Sequence, residues 1–351
     1  MRILLTGGCG FIGSAVIRHL VHNTRHTVLN IDSMTYAASA QTVEHAQESG
    51  RYAFSQTDIV DTAALNTLFE TFRPQAVMHL AAESHVDRSI DGPGAFVQTN
   101  VVGTYSMLEA ARQYWQGLDR QDRADFRFHH ISTDEVFGAL GPKDPPFTET
   151  TPYDPRSPYS ATKASSDHLV RAWFHTFGLP TFVSNTTNNY GLWQFPEKLI
   201  PLVTINAIEG RELPVYGKGD NVRDWLFVED HAKALVKAIE QGKPGETYAI
   251  GARQPRTNLD VVQGICRTLD TLLPDSAGPR ERLIRFVTDR PGHDFRYEID
   301  PTYAEKALGW TAEHTFEQGL QRTVQWYLDN RAWWESIRSR SYAGHRLGTS
   351  A

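Results

Sequence analysis

A glycine-rich turn near the start of the chain constrains its fold more than any other feature. A short apolar run at residues 3–6 leads into Gly7-Gly8-Cys9-Gly10-Phe11-Ile12-Gly13, and apolar residues then recur at helical spacing to about His22. Glycines at such a turn let a pyrophosphate approach backbone N–H groups at a helix N-terminus, where the helix dipole favours anions. The turn therefore predicts a dinucleotide site at the first strand–helix junction of an α/β sheet.

Strand-like and helix-like segments continue to alternate through the first half of the chain. Further strands are expected at 27–31, 52–54, 76–81, 126–131 and 181–186, and helices at 62–72, 94–114 and 159–177. Such alternation predicts a doubly wound parallel sheet of the Rossmann type, with helices on both faces. The prolines between Gly141 and Pro158 predict a long ordered loop, because proline is excluded from helix interiors and central strands.

The alternation weakens after about residue 188. Helices are expected at 198–209, 228–241, 258–273 and 316–328, whereas 300–310 and the tail from residue 338 show no regular pattern. We therefore predict a dinucleotide-binding domain at 1–188, a smaller C-terminal α/β substrate-binding domain at 189–330, and a tail at 331–351. No flexible linker separates the two domains, so they should pack on each other, and later segments could return to the first sheet.

Charge and cysteine content exclude several classes of protein. The formal net charge of −6 argues against a nucleic-acid or membrane-surface binder, and no apolar run approaches the roughly 20 residues that span a bilayer. With Cys9 and Cys266 as the only cysteines, a disulfide framework is excluded and a cytoplasmic location is expected. Because a strand-like run opens the chain, we expect no signal peptide. His129 and His130 should point to opposite faces of one strand, so no metal site is expected.

An acidic residue ends the second predicted strand. The carboxylate of Asp32 could accept hydrogen bonds from ribose hydroxyls and would repel a 2′-phosphate, which favours NAD over NADP. The alternative is an aspartate that only stabilises the turn. Cys9, inside the glycine turn, is interpreted as a small buried filler rather than a reactive thiol.

A tyrosine and a lysine open the helix after the proline-rich loop. Tyr159 and Lys163 stand at positions i and i+4, so they share one helical face. A lysine ammonium and a positively charged nicotinamide would both favour the phenolate, which makes the tyrosine a usable base near neutral pH. The alternative is an ordinary surface pair of a tyrosine and a lysine. The position of this pair downstream of a dinucleotide turn favours a catalytic role.

Polar residues follow the strand expected at 126–131. Thr133 could hydrogen-bond a substrate hydroxyl, and Asp134 and Glu135 place two carboxylates at the rim where ligands meet parallel sheets. Hydride transfer alone does not need both acids, whereas a reaction that also removes water needs an acid and a base. A pair of solvated loop acids is the alternative.

These motifs together resemble the extended short-chain dehydrogenase/reductases. Within that superfamily the chain is similar to the dTDP-glucose 4,6-dehydratase family from about Met1 to Leu328. The similarity rests on T-G-G-x-G-F-I-G, residues 79–89, S-T-D-E-V, Y-S-x-x-K, and the segments 188–191, 195–201, 223–226 and 289–293. The pair Asp134-Glu135 distinguishes this family from its relatives. Sugar-nucleotide 4-epimerases lack both acids there, and GDP-mannose dehydratases and UDP-glucuronate decarboxylases keep only the glutamate.

The resemblance implies an NAD-dependent hydro-lyase that converts dTDP-glucose to dTDP-4-keto-6-deoxyglucose, as in dTDP-rhamnose and other deoxysugar biosynthesis. Tyr159 would take the proton of the 4-hydroxyl, Glu135 the proton on carbon 5, and Asp134 would protonate the departing 6-hydroxyl. Lys163 and Thr133 complete the catalytic set. The family also implies a homodimer formed by the helices near 94–114 and 159–177.

The resemblance also assigns binding residues. Those implied for NAD are Gly7, Gly10, Phe11, Ile12, Gly13, Asp32, Ser33, Met34, Thr35, Asp58, Ile59, Leu80, Ala81, Ala82, Ser84, Thr99, Tyr159, Lys163 and Asn189. Those implied for the nucleotide sugar are Ser84, Thr133, Asn188, Lys198, Leu199, Pro214, Val215, Tyr216, Arg223, Asn258, Asp289, His293 and Tyr342. Arg223 is the best candidate for the diphosphate, since guanidinium forks onto phosphate oxygens. A structural salt bridge with Asp220 or Asp224 is the alternative.

Two alternative functions stay open at this point. One is a dehydratase or 4-epimerase of another nucleotide sugar, and the other is a non-catalytic NAD-sensing scaffold on the same fold. Leu192, Trp193 and Phe137 depart from the family pattern and leave the shape of the sugar site open.

Overall fold

A computed structural model describes residues 1–289 and 293–340 of the chain. The strands are β1 Arg2–Thr6, β2 Thr27–Asp32, β3 Tyr52–Gln56, β4 Ala76–His79, β5 Arg127–Thr133, β6 Thr181–Thr186, β7 Asn188–Tyr190, β8 Leu213–Tyr216, β9 Val222–Phe227, β10 Thr247–Ile250, β11 Pro255–Thr257, β12 Ile284–Val287 and β13 Arg296–Tyr297. Seven of them form one sheet in the order β10-β6-β5-β4-β1-β2-β3. All neighbours in it are parallel, which confirms the doubly wound fold.

Helices cover both faces of this sheet and build most of the second half. They are α1 Phe11–Asn23, α2 Thr62–Phe72, α3 Val86–Asp91, α4 Pro93–Phe96, α5 Thr104–Gln116, α6 Arg120–Asp125, α7 Pro158–Phe177, α8 Leu199–Ile208, α9 Val228–Gln241, α10 Asn258–Leu272, α11 Thr302–Leu308, α12 Phe316–Asp329 and α13 Arg331–Arg340. Short 3₁₀ segments lie at Ala40–Ser49, Asp134–Phe137 and Arg280–Leu283. Among the helices of the described ranges, none has both the length and the apolar composition to cross a bilayer.

The predicted helix at 94–114 is not one regular helix. A π-helical segment, Val97–Gly103, separates α4 from α5. Gly103 lies against the side chain of Ile59, where a Cβ atom would come within 2.5 Å, so the helix packs closely on the loop after β3. The wider π-helical turn depends on this tertiary packing, and hydrophobic periodicity in the sequence does not encode it.

Two further predictions about the second half were wrong. The segment 300–310 contains α11, a short helix that buries Ala304 and Leu308 and ends at Gly309 in a left-handed conformation. Residues 338–340 belong to α13, whose Trp333 and Trp334 are buried in a cluster with Tyr327. Packing by a few apolar anchors therefore outweighs the polar composition of both segments.

The second half also contributes to the first sheet. β10 pairs with β6, and α9 packs against α1 on the same face. A separate four-stranded sheet holds β9 between β11 and β13, with β7 also paired to β9, and β8 pairs with β12. The domain boundary at residue 188 stays a prediction. Segments after that residue, such as β10, nevertheless belong to the sheet of the first half.

Candidate active site

The carboxyl ends of the central strands open into one cavity of about 350 Å³, within the usual size range of small-molecule sites. Every residue predicted to bind NAD lines it except Met34. The predicted residues Thr133, Glu135, Asn188 and Lys198 line it as well. The cavity thus joins the glycine turn, the Tyr–Lys pair and one of the two acids.

The glycine turn has the geometry that a pyrophosphate needs. Gly7 has φ +74°, a left-handed conformation that favours glycine. A Cβ atom on Gly13 would lie 2.2 Å from the carbonyl oxygen of Gly7, so only glycine lets α1 sit this close to β1. Gly10 provides no side-chain cap to α1. The helix N-terminus therefore presents backbone N–H groups to the cavity, which fits a dinucleotide.

Asp32 lies at the end of β2, where it stabilises the glycine turn and also lines the cavity. Its carboxylate accepts hydrogen bonds from the backbone N–H groups of Cys9, at 2.9 Å, and Met34, at 2.8 Å. Burial raises the pKa of this carboxyl group, and the two backbone donors oppose that shift. A carboxylate has about four acceptor positions, so capacity remains for ribose hydroxyls. These residues fit NAD better than NADP, because a buried carboxylate disfavours a 2′-phosphate.

Both cysteines are buried thiols. Burial, reinforced at Cys9 by the charge of Asp32, raises the pKa of the Cys9 thiol to about 12. Burial also raises the pKa of Cys266 to about 12. Neither side chain has the depressed pKa of a reactive cysteine, which agrees with their interpretation as core residues.

Tyr159 and Lys163 are fixed by the start of α7. Ser157 and Ser160 form a capping box, and Pro158 occupies the first turn. Lys163 Nζ donates a hydrogen bond to the carbonyl of Ile131 at 2.8 Å, and burial lowers the pKa of this amine to about 8.

The surroundings of Tyr159 do not activate its phenol in the way that the sequence predicts. Burial and the carboxylate of Glu135 raise the pKa of Tyr159 above its ordinary value. The Lys163 ammonium is directed at the Ile131 carbonyl rather than at the phenol oxygen. The protein by itself therefore holds Tyr159 protonated, and a cationic ring in the cavity would act in the opposite direction.

Asp134 and Glu135 begin a single 3₁₀ turn directly after β5. The Thr133 hydroxyl caps this turn by accepting a hydrogen bond from the Glu135 N–H at 3.2 Å. Asp134 is only 1% exposed, and its Oδ2 has no hydrogen-bond partner among the described residues. Burial, followed by the charge of Glu135, raises the pKa of Asp134 to about 8. Asp134 is therefore mostly protonated at neutral pH, as a general acid must be.

The remaining residues predicted for the nucleotide sugar lie outside this cavity. They are Leu199, Pro214, Val215, Tyr216, Arg223, Asn258, Asp289 and His293. Asp289 accepts a hydrogen bond from His293 at 2.7 Å, and the ring of Tyr216 faces that histidine. His293 also lines a second, more open hollow beside Arg156. Tyr342 lies outside the described residues.

Arg223 is buried rather than extended into the cavity. Its guanidinium donates to the carbonyls of Val222, at 2.7 Å, and Asp294, at 2.9 Å, and lies 4.2 Å from the ring centre of Tyr297. Asp224, one of the two alternative salt-bridge partners of Arg223, accepts hydrogen bonds from the backbone of Ala252 and Gln254. The phosphate role of Arg223 stays a prediction.

Several cavity residues were not predicted. They include Glu83, Thr186, Thr187, Gln194, Phe195 and Glu197. Glu197 is the notable omission, because its buried carboxylate is held by Arg88 Nε at 2.8 Å and by the Tyr36 hydroxyl at 3.1 Å. We call Tyr36, Arg88 and Glu197 the rim latch. The segment 195–201 carries part of the family resemblance, so the sequence does contain a signal for Glu197.

Comparison with known proteins agrees with this geometry. The profile of the GDP-mannose 4,6 dehydratase family matches residues 4–323. A curated dTDP-glucose 4,6-dehydratase of Neisseria meningitidis serogroup B is 57% identical over 351 residues, which cover 99% of each chain.

Solved structures are similar over nearly the same length. DesIV of Streptomyces venezuelae, a dTDP-glucose 4,6-dehydratase crystallised with NAD bound, has a TM-score of 0.87 at 39% identity, covering 96% of this chain and 100% of that one. The dTDP-glucose 4,6-dehydratase of Bacillus anthracis in complex with NAD has a TM-score of 0.84 at 40% identity, covering 96% and 99%.

Proposed function

The chain belongs to the GDP-mannose 4,6-dehydratase family, and we propose that it converts dTDP-glucose to dTDP-4-keto-6-deoxyglucose and water with NAD as its cofactor. The observation that carries this proposal is the acid pair after β5. Asp134 is buried and mostly protonated at neutral pH, and the neighbouring Glu135 lines the cavity that fits NAD. An enzyme that only moved hydride would not need that pair.

Each of the three catalytic side chains, Tyr159, Glu135 and Asp134, has one proton to move. The residues that line the cavity would hold NAD, which would supply an acceptor for the hydride of carbon 4 and a donor of that hydride to carbon 6. Once a positively charged nicotinamide ring favours its ionised form, Tyr159 would take the proton of the 4-hydroxyl as the ketone forms. Glu135 then removes the proton on carbon 5, which the new ketone has acidified, and carbon 5 takes up a proton again when hydride returns to carbon 6. Asp134 gives its proton to the departing 6-hydroxyl, so that water leaves.

The two carboxyl groups need opposite protonation states, and their surroundings support that difference. Both stand on one turn, so ionisation of Glu135 disfavours ionisation of Asp134. Thr133 lines the cavity beside them and could hold a sugar hydroxyl. Lys163, one helical turn after Tyr159, would stabilise the phenolate when the proton has left.

Lys198 is the cation of this cavity best placed for the diphosphate. Its ammonium donates to the carbonyl of Ser84 at 3.0 Å, and both residues line the cavity. Asn188 lies on the same wall at the start of β7. We assign Arg223, Asn258 and His293 to the nucleotide end, on the family pattern alone.

A homodimer is part of the proposal. Val97, Tyr105 and Phe177 are exposed by 48%, 48% and 42% on the π-segment, α5 and α7. Tyr105 and Phe177 both contact the ring of Trp173, so α5 and α7 share an apolar surface. Monomeric proteins rarely leave such a patch uncovered, and a second copy of the chain would cover it. The two buried free thiols fit the reducing cytoplasm as the location.

The direct test is incubation of the purified enzyme with dTDP-glucose, followed by the alkaline absorbance that 4-keto sugars develop. We expect product from dTDP-glucose and much less from UDP-glucose or GDP-glucose. Preference for another nucleotide would move the assignment to a different sugar-nucleotide dehydratase. Tightly held NAD with no turnover of any of them would instead indicate a sensing scaffold.

A further inference from the structure

We propose that Asp167 is a positioning residue whose buried carboxylate is the counter-charge that keeps Lys163 an ammonium during the first oxidation. The inference rests on the proposed function, because it assigns a task to a residue that never reaches the cavity. Asp167 stands on α7 one turn after Lys163 and is 0% exposed.

Three side chains from three different elements converge on this carboxylate. Oδ2 accepts hydrogen bonds from the Tyr153 hydroxyl at 2.8 Å and from Asn185 Nδ2 at 3.0 Å. Oδ1 lies 3.2 Å from Nε2 of His130. Burial by itself would raise the pKa of Asp167, but the neighbouring His130 and the charge of Lys163 outweigh burial and hold this pKa below its ordinary value. A carboxylate is therefore retained as a charge in the interior, where one without a partner would be very costly.

His130 lies between the carboxylate and the amine. Its Nε2 is 3.2 Å from Asp167 Oδ1 and 3.5 Å from Lys163 Nζ. Burial and the charge of Lys163 lower the pKa of this imidazole to about 4, so the ring is neutral at neutral pH. The network then carries one negative charge, on Asp167, against one positive charge, on Lys163. Burial favours the neutral amine at Lys163, and the charge of Asp167 favours the ammonium.

No other group around Lys163 named here supplies the negative charge that Asp167 provides. The groups that face Lys163 or its network are His79 of β4, His130 of β5, Tyr153 of the proline-rich loop, and Tyr159 and Arg171 of α7. Burial lowers the pKa of His79 far below its ordinary value, so that ring is neutral too. Arg171 donates to the Tyr153 hydroxyl on the far side of Asp167.

Asp167 is also connected to the acid pair. Asn185 Nδ2 donates both to Asp167 and to the backbone carbonyl of Thr133, at 3.1 Å. Thr133 directly precedes Asp134 and caps its turn. If Asp167 only held these elements together, it would make the same hydrogen bonds. The experiment must therefore change the charge of Asp167 and leave its shape.

The test uses Asp167→Asn, which removes the charge with little change of shape. The NAD-loaded enzyme is mixed with dTDP-6-deoxyglucose, which can be oxidised at carbon 4 but has no 6-hydroxyl to lose. NADH absorbance then reports the first oxidation alone. In the wild type we expect this rate to fall as the pH rises through about 8, where Lys163 loses its proton. In Asp167→Asn the fall should come about one pH unit lower, and the rate near that pH should drop about tenfold.

Tyr153→Phe is the matched control, since it removes one hydrogen bond to Asp167 and keeps the charge. Its pH profile should coincide with that of the wild type. A lower rate in Asp167→Asn with an unmoved profile, or an equal movement in Tyr153→Phe, would show a structural role and overturn the proposal. A wild type that forms no NADH with dTDP-6-deoxyglucose and no 4-keto product from dTDP-glucose would instead overturn the proposed function.

A second measurement covers the case in which Asp167→Asn does not fold. Lys163→Met leaves Asp167 as an uncompensated buried charge. Its loss of thermal stability relative to the wild type should be large at neutral pH and shrink at mildly acidic pH, as Asp167 takes up a proton. A deficit that does not change with pH would contradict the pairing of the two charges.

Discussion

Asp134 and Glu135 are neighbours in the sequence, but their carboxyl groups have different surroundings. Asp134 points into the protein and is fully buried, whereas Glu135 is half-buried and lines the cavity. The difference arises from the 3₁₀ turn, which directs successive side chains to different sides. Two chemically similar residues can thus serve as acid and base in one reaction.

The pH dependence of water loss should report the protonation of Asp134. The acid form is present below the raised pKa of about 8 and disappears as the pH rises through that value. Water loss in a single turnover should therefore slow above that pH in the wild type. Asp134→Asn should slow this step by about 10²–10⁴-fold and remove its pH dependence, while the first oxidation persists. An Asp134→Asn variant with the wild-type rate of water loss would exclude Asp134 as the acid.

Replacement of the base gives a separate result. Glu135→Gln keeps the size of the side chain and should leave NAD bound. Exchange of the carbon-5 proton with solvent should fall by about 10²-fold or more, because no carboxylate remains to remove it. Proton exchange is followed by NMR of the sugar in deuterated water. Normal turnover by this variant would refute the role of Glu135.

Single residues show where the sequence was sufficient and where it was not. The glycine turn and the Tyr–Lys pair carry their spacing in the sequence, and the structure brings both to the cavity. The raised pKa values of Tyr159 and Asp134 depend on burial, which the sequence does not state. Asp167 was not predicted, because its partners lie on three elements that only the fold brings together.

At the scale of elements, the rim latch joins three segments that border the cavity. Tyr36 follows β2, Arg88 belongs to α3, and Glu197 precedes α8. The Arg88 guanidinium also lies 3.9 Å from the centre of the Tyr36 ring. These contacts connect the ribose side of the cavity with its sugar side, so they should restrain the release of NAD.

Loss of the latch should weaken cofactor retention. Arg88→Gln removes the ion pair of a buried glutamate, and we expect NAD to dissociate about tenfold faster, a difference of about 1.4 kcal/mol. Tyr36→Phe loses only one hydrogen bond and should have a smaller effect. The rate is measured by displacement of bound NAD with a labelled analogue. Arg267→Gln, which disrupts an exposed pair with Glu281, is the control and should release NAD at the wild-type rate. Equal rates for Arg88→Gln and this control would contradict the role of the latch.

Elements with strong periodicity were predicted well, and those shaped by tertiary contacts were not. The predicted bounds of α2 and α9 agree with the structure, because each shows a clear apolar face. The π-segment and α13 depend on partners far away in the sequence. Trp193, at φ +67°, packs its ring against Trp326 and Trp333, and only the folded chain brings these three together.

At the scale of the whole molecule, the two halves share one framework. The C-terminal half supplies β10 to the parallel sheet and β9 to the smaller sheet, so the cavity lies where the two halves meet. The sequence indicated the Rossmann-type half through its alternation of strands and helices. It could not place β10 at the edge of that sheet, because strand order is set by packing rather than by local pattern.

The exposed apolar surface on α5 and α7 predicts the oligomeric state. Tyr105→Glu places a charge at the centre of that surface and should shift the protein from dimer to monomer in analytical ultracentrifugation. Phe286→Glu is the matched control, because Phe286 is 59% exposed on β12 in the other half of the chain. Its sedimentation should equal that of the wild type. A wild-type monomer would refute the dimer.

The most direct test of the central claim follows one hydrogen atom through the reaction. Oxidation, water loss and reduction on a single bound NAD require that the hydride taken from carbon 4 return to carbon 6 of the same sugar. With dTDP-glucose deuterated at carbon 4, we predict a 4-keto-6-deoxy product that carries the deuterium at carbon 6, with no net formation of NADH. Deuterium that stays on carbon 4 of an epimerised sugar, or that is lost to solvent, would contradict the account.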